Sequence, residues 1–410
     1  MSEWKKVKLR ELYEVHNGLS KGRQFFGSGY PFLTFSTVFN NWFLPKELDS
    51  LVQSSDKERE ACSIKKGDVF ITRTSETMDE LGMSSVALRD YPDATYNGFT
   101  KRLRPITDNV IPEYIGYYLR SPKFRGKFMA FSTMTTRASL ANGDLLGMEV
   151  ELPNKEEQHR IAAILSRYDS LIENYQKQIK LLEEAAQRLY KEWFVDLHFP
   201  GHETTKIVDG VPEGWEKKTL GELFSYVRGK SYSSNEISDE GCIMVNLKNI
   251  QAFGGYKRDA EKRFIGEYKP EQTLQKGDLV MGVTDMTQER RLVGHVALIP
   301  DFNEPATFSM DLIRIIPYSV PIIYLYCAMR YGGISKRISP LANGVNVLHL
   351  KPDAMMGTMM VIPRKDLVER FCPFVEEMVN KILKNQSQIR LLTEARDRLL
   401  PKLMSGELKV

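Results

Sequence analysis

The chain has 410 residues, of which 42% are hydrophobic and 27% are charged, and its formal net charge is only +4. This composition is typical of a folded protein with two or three domains, and it excludes a disordered chain. The weakly positive charge is compatible with a nucleic-acid partner but does not require one.

The four cysteines, Cys62, Cys242, Cys327 and Cys372, are widely separated and form no CxxC pair. This spacing favours neither a zinc site nor a disulfide framework, and it is typical of a reducing compartment. No stretch approaches the roughly 20 apolar residues of a membrane span, and residues 1–12 become charged too early for a signal peptide. We therefore expect a cytoplasmic chain with no membrane partner.

The sequence repeats itself with a shift of about 210 residues. "WKKVKLREL" (4–12) matches "WEKKTLGEL" (215–223), and "QIKLLEEAAQRLYKEW" (178–193) shares eight of its sixteen positions with "QIRLLTEARDRLLPKL" (388–403). Further matching pairs follow in the same order between these two. An ordered series of this kind predicts two homologous halves.

Each half begins with about 150 residues of mixed character. Short β-branched and aromatic runs, interrupted by Gly, Asn and Pro, predict the strands of an irregular sheet. The clearest runs are "GDVFITRT" (67–74), "SSVALR" (84–89), "GDLVMGVT" (277–284) and "GHVALIP" (294–300).

A long helix is predicted after each mixed region. Apolar residues recur there at intervals of seven, with Glu, Lys, Arg and Gln on the other faces, which indicates a coiled-coil-like seam. Asn154 is a suitable N-cap for the first helix. Two helices of matched length most simply pack together antiparallel, although each could instead cover only its own domain. The seam residues are Ile161, Tyr168, Tyr175, Leu182, Leu189, Met378, Leu392 and Leu399.

The two helical segments differ at particular positions. Leu171 and Phe374 stand at apolar positions between the seam residues. Asn385 takes the position of Tyr175 and could fix the register of the two helices. Pro373 lies one to two turns inside the second helix, and because proline removes a backbone hydrogen bond, we expect that helix to bend or restart there.

Together these patterns predict an α+β fold. Two pseudo-repeated mixed domains are joined by two long antiparallel helices that form a coiled-coil-like spacer. The predicted boundaries are 1–153 and 201–363 for the two mixed domains, and 154–200 and 364–410 for the two helical regions.

The motifs of the common enzyme classes are missing from the sequence. "RGKS" (228–231) resembles the end of a phosphate-binding loop, but the glycine that the motif requires at position 224 is Phe224. There is no HExxH, no GxSxG and no methyltransferase tetrapeptide. Asp68 and Asp278 lie in "KGD" turns, where a structural role is favoured over catalysis. We therefore predict that this chain alone catalyses no reaction and holds no metal.

Polar loops interrupt the two mixed domains at matching places, and they differ between the halves while the flanking strands agree. Their side chains can donate hydrogen bonds to bases and phosphates. Surface loops are polar and variable in most proteins, so the pattern alone does not decide the function. The candidate DNA-binding residues are Ser20, Lys21, Arg23, Ser36, Thr37, Arg73, Ser75, Thr135, Thr136, Arg137, Lys230, Ser231, Tyr232, Lys248, Asn249, Thr287, Gln288, Arg290, Arg291, Asn343 and Asn346.

Both halves open with the pattern "W…L.EL…G.S", and the first half ends in the junction "LPNKEEQHRIAAIL" (152–165), which leads into a long helix. In these features the chain resembles the specificity subunit of type I restriction–modification systems. The resemblance covers essentially the whole chain, and the junction is its most specific element. The second junction departs from the pattern, because Val368 stands in the place of Gln158 and Pro373 follows.

This resemblance implies two target-recognition domains, each of which recognises one half of a bipartite double-stranded DNA site. The helices would set the gap between the halves and bind two methyltransferase subunits, which restriction subunits join. Adenine methylation would belong to the methyltransferase. The methyl donor and ATP would be held by partner subunits, leaving no cofactor in this chain. The alternative is a non-catalytic two-domain protein–protein scaffold without DNA binding, which the low net charge favours.

Overall fold

The computed structural model describes residues 4–75, 80–131, 138–139, 141–258 and 261–410. It divides the chain into two compact units. Unit 1 comprises residues 1–171 and 392–410, and unit 2 comprises residues 172–391. Both unit boundaries fall inside long helices, so each unit contains one mixed α/β region and a part of each helix.

Unit 1 is built from short strands and helices around two sheets. Its strands are β1 (Lys5–Lys8), β2 (Tyr13–Asn17), β3 (Phe26–Leu33), β4 (Leu51–Val52), β5 (Val69–Thr72), β6 (Thr74–Ser75), β7 (Ser84–Val86), β8 (Thr95–Tyr96), β9 (Thr100–Pro105), β10 (Ala138–Ser139) and β11 (Glu149–Leu152). Its helices are α1 (Leu9–Leu12), α2 (Phe35–Asn40), α3 (Asp56–Ala61), α4 (Pro112–Arg120), α5 (Pro122–Phe131), α6 (Asn142–Gly147) and the start of α7 (Lys155–Tyr190).

The core of unit 1 lies on both faces of an antiparallel sheet with the strand order β2-β9-β5-β7. On one face, the buried side chains of Val69 and Ile71 pack with α4, the start of α7 and the end of the second long helix. On the other face, Phe70 packs against the smaller sheet β4-β3-β8. Because both faces of β5 are buried, its first three residues, Val69, Phe70 and Ile71, are all apolar.

Unit 2 repeats this construction. Its strands are β12 (Ile207–Val208), β13 (Val211–Pro212), β14 (Glu216–Thr219), β15 (Phe224–Arg228), β16 (Ile237–Ser238), β17 (Cys242–Val245), β18 (Lys262–Phe264), β19 (Leu279–Gly282), β20 (Thr284–Asp285), β21 (Val296–Leu298), β22 (Ala306–Phe308), β23 (Leu312–Pro317), β24 (Leu348–His349) and β25 (Met359–Ile362). Its helices are α8 (Leu220–Leu223), α9 (Ile322–Tyr331), α10 (Ile334–Ile338), α11 (Pro352–Met355) and most of α12 (Lys365–Ser405).

The strand pairing confirms the duplication. The sheet β15-β23-β19-β21 has the order of β2-β9-β5-β7, with Phe224 opposite Pro317 where unit 1 has Tyr13 opposite Pro105. The parallel pair β17-β22 corresponds to β3-β8, the pair β20-β24 to β6-β10, and the pair β14-β25 to β1-β11. The strands predicted at positions 67–74, 84–89, 277–284 and 294–300 are β5, β7, β19 and β21.

The two "KGD" turns have the structural role that was predicted. Asp68 is fully buried, accepts the Lys65 N–H and forms an ion pair with Arg104 at 2.7 Å. Asp278 accepts the Gln275 N–H in the same way and pairs with Arg314. Each aspartate therefore ties its turn to the central strand β9 or β23.

The long helices α7 and α12 run antiparallel within each unit. In unit 1, Arg396 donates to Asp169 at 2.7 Å, and Arg160 donates to the carbonyl of Val410. In unit 2, Asn385 donates to Gln178 at 3.1 Å, and the ring of Tyr190 contacts that of Phe371. Asn154 caps α7 by accepting the Glu157 N–H. A π-helical turn, Lys191–Val195, ends the first helix.

The predicted seam residues lie on the inner side of the helices. Ile161 is fully buried, and Tyr168, Tyr175, Leu182, Leu189, Met378, Leu392 and Leu399 are half-buried. The prediction that Leu171 and Phe374 also belong to the apolar inner face of the helices is wrong, because both side chains are exposed. The neighbouring Ile172 and Val375 face inward instead, since the positions of a helix that has 3.6 residues per turn drift away from an interval of seven.

Of the bend or restart expected at Pro373, the restart is wrong, because α12 is continuous from Lys365 to Ser405, and the bend stays a prediction. Proline at this position leaves the carbonyl of Glu369 without its helical donor. Both Glu369 and Pro373 are exposed, so water can hydrate that carbonyl at little cost. Apolar contacts of Phe371 and Val375 on the buried side hold the helix together.

The structure also explains the departure at the second junction. Gln158 is almost fully buried, accepts the Ile111 N–H at 2.9 Å and donates to the carbonyls of Asn109 and Pro153. In unit 2 the residue corresponding to Ile111 is Pro321, which has no N–H. Unit 2 therefore has no backbone N–H here that needs an acceptor, and valine can occupy position 368. The hydrogen-bonded Gln158 of unit 1 is replaced by an apolar core residue, Val368, in unit 2.

Candidate nucleic-acid interface

The polar loops of unit 2 meet at one end of its sheet β15-β23-β19-β21. Pairing of β20 with β24 brings the segment after Asp285 beside the segment before Leu348. Gln288 then donates from Nε2 to the carbonyl of Val345 at 2.8 Å. Two loops that are about 57 residues apart in sequence thus form one surface.

The loop that follows β15 joins the same surface. The Lys230 N–H donates to the carbonyl of Phe308, and the Met310 N–H donates to the carbonyl of Lys230 at 2.9 Å. Gly229 makes this crossing possible, because a Cβ atom there would lie 2.0 Å from the carbonyl oxygen of Ser309. The glycine of "RGKS" therefore serves a close backbone approach rather than phosphate binding.

We call this surface the loop face of unit 2, and it comprises residues 229–232, 246–249, 285–291, 309–311 and 343–349. Asp285 organises its centre. This fully buried carboxylate accepts the Leu292 N–H at 2.6 Å, the Thr287 N–H and hydroxyl at 2.8 Å, and the Val293 N–H. Burial alone would raise the pKa of Asp285, but these hydrogen bonds outweigh it and lower the pKa.

Unit 1 has an equivalent loop face, made of residues 18–23, 34–37, 73–75, 97–99 and 138–139. The Leu19 N–H donates to the carbonyl of Tyr96, and the Arg73 N–H donates to that of Phe99. Gly18 has the role of Gly229, because a Cβ atom there would lie 2.2 Å from the carbonyl oxygen of Asn97. The same backbone scaffold therefore carries different side chains in the two units.

Most of the predicted DNA-binding residues are accessible on these loop faces. Ten have exposed side chains, namely Ser20, Arg23, Ser36, Ser231, Lys248, Thr287, Gln288, Arg291, Asn343 and Asn346. Six are half-buried, namely Lys21, Thr37, Arg73, Lys230, Tyr232 and Arg290.

Asn249 is a wrong prediction, because its side chain is fully buried. Its Oδ1 accepts the Asn246 N–H at 2.9 Å, and its Nδ2 donates to the carbonyl of Lys257 at 3.0 Å. This amide holds the turn after β17 in shape, and it has no surface to offer to a base. Sequence alone could not separate it from the exposed Lys248 beside it.

Several predicted residues already have partners within their own unit. Lys21 forms an ion pair with Glu58 at 2.8 Å, and this contact lowers the pKa of Glu58 to about 2, together with the Ser55 N–H. The hydroxyl of Tyr232 accepts from the ammonium of Lys262 at 2.9 Å. A phosphate contact by Lys21 would therefore compete with a formed ion pair.

The remaining predicted residues are only partly described. Ser75 lies on β6, whose backbone pairs with β10. Thr135, Thr136 and Arg137 lie outside the described residues.

A second basic side chain that sequence reasoning missed lies beside Arg73. Lys101 on β9 is buried and donates to the side chain of Asn142. Its burial, and after that the charge of Arg73, lower the pKa of Lys101. Because Lys101 is buried, it supports this edge of the unit 1 loop face from inside, and Arg73 is the partly accessible cation there.

Within the described part of the chain, no group of three or more His, Cys, Asp or Glu side chains could hold a metal ion. All four cysteines are free thiols. No helix among the described residues is both long enough and apolar enough to cross a membrane.

Comparison with known proteins gives a consistent result. Residues 1–184 match the model of the type I restriction modification DNA specificity domain. The whole chain aligns at 28% identity with 94% of the type I restriction enzyme MjaIX specificity subunit of Methanocaldococcus jannaschii. At 33% identity, 70% of the chain aligns with 69% of a protein of Mycoplasma genitalium described as a type I specificity subunit. The chain belongs to the type I specificity-subunit family.

The fold of this specificity subunit agrees with that assignment. It superposes on the crystal structure of the type I restriction–modification S subunit from M. genitalium with a TM-score of 0.61, over 98% of this chain and 96% of that chain. The sequence identity in that comparison is 16%, so it supports the fold alone. The α+β fold predicted from the sequence is thereby confirmed.

The loop face of the second unit also contains apolar side chains that sequence reasoning missed. Met286, Met310 and Val345 are 78%, 55% and 86% exposed. The signal was present in the sequence, since each is an apolar residue within or beside a polar loop. Only the strand pairing brings the three together.

Proposed function

We propose that each unit of this specificity subunit recognises one half of a bipartite double-stranded DNA target through its loop face. The observation that carries this proposal is the duplicated scaffold with different side chains at the same end of each sheet. Two distinct sequences can be recognised by one backbone design if the loops alone differ. Exposed Lys, Arg, Asn and Gln are the side chains that contact phosphates and base edges.

The contacts divide into two kinds. Lys21, Arg23, Arg73, Arg137, Lys230, Lys248, Arg290 and Arg291 would contact phosphates, which makes binding sensitive to salt. The amides of Gln288, Asn343 and Asn346 can form paired hydrogen bonds with adenine, and the remaining hydroxyl groups can contact either bases or phosphates.

The chain would supply recognition and leave catalysis to its partners. Two methyltransferase subunits would bind the helices and methylate adenine, restriction subunits would join them, and the methyl donor and ATP would be held by those subunits. Leu181, Phe374 and Leu391 in unit 2 are large apolar side chains exposed on the outer faces of α7 and α12, which supports docking there. The substitutions Leu181→Lys and Leu391→Lys should therefore reduce the amount of methyltransferase that co-purifies with this chain.

The proposal is tested by expressing the chain with its methyltransferase subunit and mapping methylated adenines in cellular DNA. We expect a bipartite motif with a fixed gap, and a gel shift that requires this motif. Exchange of residues 201–363 for those of a relative should change one half-site and leave the other half-site and the gap intact. A protein–protein scaffold would give no motif and no gel shift.

Arg290 and Arg291 provide a sharper test of the loop face. Their replacement by Ala should weaken binding through the second half-site and reduce the slope of log affinity against log salt by about two, because each phosphate contact contributes about one. Lys269 and Lys276 are exposed in the same unit, and Lys276 precedes β19 at the opposite end of that strand. Alanine at these two positions is the control. Unchanged affinity and target in the arginine variant would contradict the assignment.

A further inference from the structure

Three exposed apolar side chains lie on neighbouring, hydrogen-bonded segments of the loop face of unit 2. Met286, Met310 and Val345 come from three separate segments of the chain, and more than half of each side chain is accessible. An isolated exposed apolar residue needs no explanation, but a group within an otherwise polar surface indicates a binding function.

Hydrogen bonds from backbone and side-chain groups hold the three segments side by side. The Val283 N–H donates to the carbonyl of Asp311, next to Met310, at 2.8 Å, and Thr284 donates to the Asp311 carboxylate at 2.9 Å. On the other side, the bond from Gln288 to the carbonyl of Val345 joins the segment of Met286 to the segment before β24. The loop between β19 and β21 is thus central, with Met310 and Val345 on the segments that flank it.

These segments are well anchored, so the exposure of the side chains is a property of the fold. Four hydrogen bonds to the buried Asp285 fix the turn that follows Met286. Met310 is fixed by its N–H bond to Lys230. Exposure of these apolar side chains to water is unfavourable in free energy. A partner that covers them would therefore gain binding free energy.

The surroundings of the group identify the chemistry of that partner. Lys230, Arg290 and Arg291 lie on the same segments or on segments hydrogen-bonded to them, and the acidic Glu289 is paired with Arg291. An apolar centre with a cationic rim suits a ligand that has a phosphate backbone and a small apolar group between its phosphates. In the major groove of DNA that group is the 5-methyl of thymine.

We propose that Met286, Met310 and Val345 contact thymine methyl groups in the major groove, so that the half-site recognised by unit 2 contains at least one thymine that is identified by its methyl group. This inference rests on the proposed function and specifies what unit 2 recognises. The long, flexible methionine side chains can adjust to the position of the methyl group.

The test uses the complex with its methyltransferase subunit and the motif mapped in cells. Each thymine of the second half-site, on either strand, is replaced singly by deoxyuridine, which removes only the methyl group. For the wild-type protein we expect at least one replacement to weaken binding roughly fourfold, the value of one buried methyl group. With Met286→Ala, Met310→Ala or Val345→Ala, one of these replacements should lose its effect, because the side chain that contacts the methyl is gone.

Matched variants separate this contact from a general loss of structure. Met310→Leu keeps an apolar side chain and should keep the deoxyuridine effect. Met359→Ala removes a methionine that is 45% exposed on β25, and it should leave binding and the deoxyuridine effect unchanged. Thermal unfolding of each variant checks that the fold is intact.

The outcomes distinguish the two proposals. If the wild-type complex binds no mapped motif, the proposed function itself is wrong. If it binds its motif but no deoxyuridine in the second half-site weakens binding, or the effect persists in all three alanine variants, the thymine contact is overturned and recognition of the half-site by other side chains stands.

Discussion

Two glycines at equivalent positions show how a single residue shapes each loop face. Gly18 and Gly229 lie where the loop after β2 or β15 crosses the turn before β9 or β23. Both avoid a clash with a carbonyl oxygen, and neither needs a left-handed backbone. The residue type is therefore required by the space available and not by the dihedral angle.

Gly229→Ala should lower the free energy of unfolding of unit 2 by about 1–3 kcal/mol, because the added methyl forces the backbone of Ser309 to move. Binding through the second half-site should weaken with it, since Lys230 and Met310 are joined at this crossing. Gly357→Ala is the matched control, because a Cβ atom there meets nothing within 4 Å. Denaturant unfolding of both variants checks the prediction, and equal stability would contradict it.

Asp285 is the second residue on which the loop face depends. In Asp285→Asn an amide group replaces one acceptor oxygen, so either the Leu292 N–H or the Thr287 groups lose their partner. We expect a loss of about 1–3 kcal/mol at neutral pH. Asp239→Asn, at an exposed aspartate, should change little.

The pH dependence of this difference has a definite sign. The pKa of Asp285 is lowered in the folded state, so its stabilisation is complete above the unfolded value of about 4 and is lost as the pH falls towards the folded value. The stability difference between wild type and Asp285→Asn should therefore be constant from pH 8 to pH 5 and shrink below pH 4. A difference that grows on acidification would contradict this role.

At the scale of elements, the long helices combine predicted and unpredicted features. The period of apolar residues predicted both helices and most of their inner faces. It did not predict that α12 passes through Pro373, because that depends on which side of the helix packs against the unit. Since the proline faces solvent and Phe371 and Val375 face the core, packing overrides the local penalty.

The pair Asn385 and Gln178 is a polar contact within the helix seam, and Asn385 is only 1% exposed. Gln178→Leu should destabilise the protein by about 1–3 kcal/mol, because the buried Asn385 amide loses this acceptor. The double variant Gln178→Leu with Asn385→Leu should recover that loss, since both polar groups are then removed. Gln187→Leu, at an exposed position of α7, is the control. A double variant less stable than Gln178→Leu would show that the pair has another role.

At the scale of the whole molecule, both unit boundaries fall within helices, at 171–172 and 391–392. If the helices set the gap in the DNA target, their length should determine it. A seven-residue insertion at both boundaries keeps the seam register and adds about 10 Å at 1.5 Å per residue. We expect the gap to lengthen by about three base pairs of 3.4 Å, with both half-sites unchanged.

Methylation mapping in cells measures this outcome. A seven-residue insertion in α7 alone is the control, because it shifts one helix past the other and should reduce activity without giving a new defined gap. An unchanged gap in the double insertion would contradict the role of the helices as a spacer.

The sequence by itself determined the duplication, the α+β character, the long helices and the family. These depend on local periodicity and on matches between two copies, which are both present in one chain. The turn role of Asp68 and Asp278 was also available, because it depends on neighbours three residues away.

The tertiary structure decided which loop residues share a surface and which are used internally. Asn249 and Lys248 are adjacent and equally polar, yet only Lys248 is accessible, because the Asn249 amide turns inward to bond Asn246 and Lys257. Met286, Met310 and Val345 became one group only through pairing of strands far apart in sequence. Burial and long-range pairing depend on the whole fold, so no local pattern could have specified them.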